Sequence, residues 1–244
     1  SIPITDRLYL KDNYVEDIWD EIIESPLRTH KGYKYSDLGF YISAKVVENV
    51  SGQTLDEYVS DNFYQPLGLS TAGFNPLDRF EAYRIPPTEE DSYYRMQKVQ
   101  GYVHDMGAAM LGGVSGHAGL FANAKDVAVI MQMLINGGNY AGRQYISEAT
   151  VKEFTTRYKD SSRRGIGFDM KELNGKRSHH LTELASSSTF GHLGFTGICT
   201  WADPENNLVY VFLSNRTYPT MDNSKLYKMD FRPRIQTAIY EAMK

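Results

Sequence analysis

The sequence predicts an α+β fold: an antiparallel sheet flanked by helices, together with a mainly helical lobe. Three observations carry this. Apolar residues recur at helical steps through much of the chain up to about residue 160. A hairpin pattern follows, in which Phe195 to Ala202 and Leu208 to Ser214 flank the turn Asp203-Pro204-Glu205-Asn206-Asn207. The order of helices, loops, helices, hairpin and closing helix is not the strand–helix alternation of a nucleotide-binding sheet.

The first helix is predicted from Val15, Ile18, Trp19 and Ile22, which share one face, and Ser25-Pro26 ends it. A second should begin near Ser36, with Leu38, Tyr41, Ile42, Val46 and Val50 inward and Ser51-Gly52 as its stop. A third runs from about Thr54, carrying Leu55, Tyr58, Val59 and Phe63, to Pro66-Leu67-Gly68. Thr71 to about Met106 is rich in Pro, Tyr and charge without a clear period and reads as long loops. A glycine cluster, Gly112 to Phe121, precedes a helix with Val127, Ile130, Met131 and Leu134 on one face and Gly137-Gly138 at its C-terminus. A short helix is expected near Ser147. A strand is expected over Gly165 to Met170, and a last helix from about Pro233 with Ile235, Ala238, Ile239 and Ala242 inward.

Bulk properties narrow the function. The chain has 244 residues, enough for a sizeable core, and a net charge of -4 without a Lys/Arg block, so a nucleic-acid partner is not expected. No apolar run approaches the roughly 18 residues that span a bilayer, so no transmembrane segment is expected. The opening SIPITDRLYLKD reads as neither a signal nor a transit peptide. One cysteine, Cys199, leaves no intrachain disulfide and no multi-cysteine zinc site. The histidines His30, His104, His117, His179, His180 and His192 form no His-x-His or His-x-x-x-His pair. Neither a metal nor another cofactor is expected.

Three short segments could carry chemistry. Tyr35-Ser36-Asp37 stands at the mouth of the second helix, where a packed tyrosine and an N-cap serine would also be ordinary. In the Gly112–Phe121 loop, Gly116 could serve backbone geometry alone, and His117 could be a hydrogen-bonded structural residue. Gly191-His192-Leu193-Gly194-Phe195-Thr196-Gly197 opens the predicted hairpin, where glycine avoids steric conflict or admits a ligand close to the backbone.

Their combination and order resemble one family. YSDLGFYISAKVVENVSGQTLDEYV is similar to the tyrosine-motif helix of class C β-lactamases and related DD-peptidases and esterases. GGVSGHAGLFANAKDVAVIMQMLINGG resembles the following loop and helix of the esterase-like members. FGHLGFTGICTWADPENNLVYVFLSNR resembles the strand pair bearing the lysine-threonine-glycine motif, in a histidine variant. The likeness covers nearly the whole chain and is strongest to hydrolase domains fused behind family 3 glycoside hydrolases in Bacteroidetes. It implies a β-lactamase/DD-peptidase-like domain over residues 1–244, with about 50–160 as a helical and loop lobe and 1–50 plus 161–244 as the helix and sheet part.

That family uses a Ser-x-x-Lys pair upstream of the tyrosine. No serine of this chain has a lysine three places on. The resemblance therefore implies an N-terminally incomplete domain, continuous with an upstream segment that carries the pair. It further implies an acyl-enzyme mechanism on an ester, D-amino-acid peptide or β-lactam-like carbonyl. Tyr35 would help move the nucleophile's proton, with His192 where β-lactamases have a second lysine. The Phe195 N–H would be one oxyanion donor, Gly194 would keep the strand approachable, and Gly116 and His117 would line the rim. Asp37 replaces the usual asparagine and, when ionised, can only accept hydrogen bonds, so it suits the absent lysine better than a β-lactam amide. Both departures favour an esterase or peptidase-like enzyme over an efficient β-lactamase. A periplasmic or envelope location follows by resemblance. A degenerate, non-catalytic domain that binds peptidoglycan or packs within a larger enzyme is the alternative.

Overall fold

The computed structural model describes residues 1–159, 162–173 and 180–244, so His179 lies outside the described residues. The chain divides into two compact units: Ser1–Tyr64 with Gly73–Phe121, and Gln65–Ala72 with Ala122–Lys244. The division expected from sequence falls elsewhere, because residues after Ala122 that were grouped with the helical lobe pack onto the sheet.

In the first unit, β1 (Ile2–Thr5) and β2 (Leu8–Leu10) form a hairpin, followed by α1 (Tyr14–Ile23), α2 (Leu38–Ser51) and α3 (Leu55–Val59). Gly52 ends α2 at a φ of 73°, a conformation that costs glycine little. Thr54 and Glu57 form a reciprocal capping box at the start of α3. The expected inward face of α2 is not buried: Leu38, Ile42, Val46 and Val50 are 41%, 48%, 53% and 83% exposed. Tyr41 of that set turns toward the His117 ring, as described below.

The stretch read as loops contains β3 (Pro87–Asp91) and β4 (Gln97–Gln100), an antiparallel hairpin. Its polarity hid it. Glu89, Asp91 and Arg95 are buried because Glu89 pairs with His104 and Asp91 with Arg95, and the backbone supplies further partners. The Asp91 carboxylate accepts from the N–H groups of Tyr93, Tyr94 and Arg95, and Arg95 donates to the carbonyls of Val103 and His104. The first unit's core joins Ile4 to Val103, Ala108 and Ala109, the last two on α4 (Met106–Met110).

In the second unit, α5 (Ala124–Ile135) is capped by Asn123, whose side chain accepts from the Asp126 N–H. Gly137 and Gly138 follow its end with positive φ. A two-residue ladder joins β5 (Asn139–Tyr140) to β6 (Arg143–Gln144), and Ser147 caps α6 (Glu148–Thr155). Among the described residues the main sheet is antiparallel in the order β10-β9-β8-β7: β7 (Asp169–Met170), β8 (Phe190–Leu193), β9 (Cys199–Asp203) and β10 (Leu208–Phe212). The short helix α7 (Lys225–Lys228) and the long α8 (Phe231–Ala242) close the chain.

Alternation on the strands builds two apolar layers. Cys199, Trp201 and Tyr210 pack with Tyr240 of α8 on one face. Phe190, Ala202 and Met170 pack with Met131 of α5 on the other. Three boundaries differ from expectation. Only Asp169 and Met170 of the Gly165–Met170 segment pair as a strand. The segment from Gly191 splits into strand β8 and a turn, so the next strand starts at Cys199 rather than Phe195. Pro233 is the third residue of α8, whose buried residues are Arg232, Pro233, Gln236 and Tyr240. Polar anchoring outweighs the apolar stripe there. Arg232 donates to the Ile198 carbonyl, Gln236 accepts from the Thr182 N–H, and the Tyr240 hydroxyl donates to Asp203, while Ile235 stays 39% exposed.

Candidate active site

In the first unit, Tyr35 is exposed on the segment entering α2. Ser36 Oγ accepts from the Leu38 N–H at 3.3 Å, and the Asp37 carbonyl accepts from the N–H groups of Phe40 and Tyr41. The Asp37 carboxylate faces Tyr41: burial, then Asp105, then Asp37 push the Tyr41 hydroxyl up to about 12. Tyr41 therefore stays protonated and can donate.

His117 is buried in a hydrogen-bonded chain. Its Nδ1 lies 2.9 Å from Ser115 Oγ, and its Nε2 lies 2.9 Å from Asp105 Oδ1. Its ring lies 4.4 Å from that of Tyr41. Asp105 also caps α4 by accepting from the Ala108 N–H. Burial opposes the charge on Asp105, but hydrogen bonds from His117 and Ala108 outweigh it and hold the carboxyl below its usual range. Gly116 is set by packing: a Cβ there would come within 2.3 Å of the Phe40 carbonyl oxygen of α2. The loop and the tyrosine-bearing helix are thus held together by Gly116 and His117. Asp105, Ser115 and Tyr41 were not read as site residues from the sequence. The Ser-x-His spacing with an aspartate twelve residues before the histidine was the available signal. An apolar groove of about 540 Å³, lined by Leu10, Tyr14, Ile18, Leu38, Tyr41 and Met110, runs beside α1 and α2.

In the second unit, His192 stands opposite Thr200 near the end of β8. A four-residue turn, Gly194 to Gly197, follows. The Gly194 N–H donates to the Ile198 carbonyl, and Gly197 has a φ of 113°. A Cβ on Gly194 would meet Ile198 Cγ1 at 2.3 Å, so side-chain packing fixes this glycine as well. Phe195 is exposed at the tip. Arg216 secures the turn from both sides of the peptide: its N–H donates to the Thr196 carbonyl, its Nε donates to the Phe195 carbonyl, and its guanidinium stacks on the Phe195 ring at 4.4 Å. Its Nη1 ties the same group to the carbonyls of Met221 and Asn223.

A charged cluster lies behind His192. The ring's Nδ1 is 2.7 Å from the Leu193 carbonyl oxygen, and Nε2 is 3.2 Å from Arg164 Nη1. Arg164 and Arg163 both pair with buried Asp169, at 3.5 and 3.0 Å. Arg163 also contacts His180, which burial and then the Arg163 charge push down to about 4. Arg163, Arg164, Asp169 and Arg216 were not picked out from the sequence: Arg164 and Arg216 meet His192 and Phe195 across long stretches of chain, and the nearby Arg163/Arg164–Asp169 pairing follows no marked spacing.

Residues 4–230 match the Beta-lactamase family. The chain belongs to that family. Among curated relatives, a protein of Escherichia coli K12 named "Putative D-alanyl-D-alanine carboxypeptidase" is 39% identical over 236 residues, covering 90% of this chain and 54% of the relative. A Salmonella schwarzengrund protein of the same name is 38% identical over 221 residues, covering 84% and 50%. The chain spans about half the length of these relatives. Its fold matches a crystallised β-lactamase from Mycobacterium bovis at a TM-score of 0.57 and 23% identity, covering 85% of this chain and 63% of that one. A penicillin-binding-protein homologue from Caulobacter crescentus matches at 0.56 and 22%, covering 85% and 61%. The β-lactamase/penicillin-binding-protein fold is therefore the fold of this chain. The β-lactamase-family segments expected from sequence occupy the start of α2, the loop after α4 and the end of β8.

Proposed function

We propose that this chain forms the tyrosine-, glycine-loop- and histidine-bearing part of a serine acyl-hydrolase, with the Ser-x-x-Lys pair on a segment outside these 244 residues. The observation that carries the reading is the joint presence of Tyr35 before α2 and the His192–Gly194–Phe195 turn after β8 in a chain 39% identical to a named carboxypeptidase. The exposed apolar face of α2 supports it: Leu38, Ile42, Val46 and Val50 are 41–83% exposed, so covering them with a further segment would contribute a corresponding part of the about 1.5–3 kcal/mol that full burial of a large side chain is worth.

In this scheme the serine attacks a carbonyl, Tyr35 helps carry its proton, and the Phe195 N–H shares the oxyanion with the serine's own N–H. A second preorganised donor of that kind is worth about 3–4 kcal/mol at the transition state. Asp37 pairs with the lysine of the upstream segment. The substrate is a peptide ending in D-alanyl-D-alanine, a reading supported by the relatives' names, and a cell-envelope location goes with it as part of the same proposal. Esters and β-lactams present the same carbonyl and are weaker alternatives. Release of D-alanine from a D-alanyl-D-alanine peptide by the chain joined to its Ser-x-x-Lys segment tests the reading. Binding of peptidoglycan fragments without turnover would favour the non-catalytic alternative, which the missing Ser-x-x-Lys within these residues keeps open.

A further inference from the structure

We propose that Arg164, not His192, is the cation of the β8 edge, and that His192 acts as a hydrogen-bond acceptor that holds this guanidinium in place. The donor and acceptor chemistry forces the assignment. A guanidinium only donates, so the His192 Nε2 facing Arg164 Nη1 at 3.2 Å must be the unprotonated, accepting nitrogen. A carbonyl oxygen only accepts, so the Nδ1 at 2.7 Å from the Leu193 oxygen must carry the proton. The ring is therefore neutral and in the Nδ1–H form, with both nitrogens committed inside the fold.

In this state His192 offers no proton at Nε2. It cannot serve there as an acid, and Arg164 occupies the lone pair it would use as a base. Positive charge is present all the same. Arg164 reaches His192 while also pairing with Asp169, whose buried carboxylate is the anchor of both Arg163 and Arg164. The isolated bridge between Arg164 and Asp169 brings their backbones together as well. Arg164 is thus a positioning residue: its charge reaches the β8 edge through the imidazole, where the β-lactamases of the resemblance carry a lysine. The functional meaning rests on the acyl-hydrolase reading, whereas the tautomer does not.

Long-range proton–nitrogen NMR correlation on the labelled chain reads the tautomer directly. The expected spectrum has a protonated Nδ1 and an unprotonated Nε2 for His192. A protonated Nε2, or a doubly protonated ring, would overturn the proposal without any variant. Because the Leu193 carbonyl still holds Nδ1–H, Arg164→Met should move the His192 Nε2 resonance toward that of a water-bonded nitrogen, and Arg164→Lys, which still donates, should leave it nearer the parent's. Arg163→Met should leave His192 unchanged, because Arg163 contacts His180 and Asp169 instead. An Arg164→Met protein with an unaltered His192 spectrum would refute the role of Arg164. In the longer protein, Arg164→Met should lower the acylation rate at least tenfold, with partial recovery in Arg164→Lys; equal rates in all three would refute the positioning role. A longer protein that acylates with no substrate would count against the acyl-hydrolase reading alone, since the tautomer is read without turnover.

Discussion

Asp169→Asn removes the carboxylate that pairs with both Arg163 and Arg164. Asp169 is 2% exposed and sits 3.0 Å from Arg163 Nε and 3.5 Å from Arg164 Nη1. Breaking a fully buried pair by removing one partner costs about 3–5 kcal/mol. The two arginine side chains here are 33% and 18% exposed, so water takes up part of the orphaned charge. The expected loss is about 2–3 kcal/mol. Urea unfolding followed by Trp201 fluorescence measures it, with Trp19→Phe as background so that the buried tryptophan on β9 reports alone. Adding Arg164→Gln should recover part of the loss, giving a coupling energy of about 1–2 kcal/mol. A loss under about 0.5 kcal/mol, or strict additivity of the two changes, would refute the clamp.

Other outcomes follow from the same structure. His180 takes up its proton near 4 when folded and near 6.5 when unfolded, so stability is full above about 6.5 and falls as pH drops toward 4; the span is worth about 3 kcal/mol. Urea midpoints across that range should show the slope, and His180→Gln should flatten it. Gly116→Ala forces a methyl against the Phe40 carbonyl and should cost about 1–3 kcal/mol, whereas Gly39→Ala, which meets open space on α2, should gain up to about 1 kcal/mol. Thermal melts of the pair test the contrast, and equal effects would contradict it. Burial pushes the Cys199 thiol up to about 12, so an aromatic disulfide reagent should modify it only on unfolding; rapid native-state reaction would place it elsewhere.

Periodicity sufficed where one face of an element meets an apolar layer. The α5 stripe of Val127, Met131 and Leu134 and the alternation of Cys199, Trp201 and Tyr210 both lead into the second unit's core. It misled where polar side chains do the packing. The strand Pro87–Asp91 looks like loop because Glu89 and Asp91 are buried by Arg95, His104 and backbone N–H groups, a pattern no hydropathy period contains. In α8 the buried Gln236 and Arg232 displace Ile235 and Ala238 from the expected stripe, while Ile239 packs against the sheet core as expected. The α2 helix forms as expected, but among the described residues Leu38, Ile42, Val46 and Val50 lie exposed rather than inward, so a period identifies an apolar face without saying what covers it.

The site shows the same division. Tyr35, Asp37, His192, Gly194 and Phe195 are proposed from the sequence because the resemblance attaches to contiguous segments. Their supports were not. Arg216 grips the Phe195 turn from twenty-one residues away, Arg164 meets His192 across twenty-eight, and Asp105 meets His117 across a helix and a loop. Only the folded chain brings such pairs together.

Fluorophosphonate labelling with mass-spectrometric mapping of the modified serine tests the central claim most directly. The 244-residue chain should remain unlabelled, and a longer protein that joins it to the proposed Ser-x-x-Lys segment should be labelled stoichiometrically at that serine. Stoichiometric labelling of the 244-residue chain itself would contradict the account, and loss of that label in Ser115→Ala would place the nucleophile in the Ser115–His117–Asp105 chain instead.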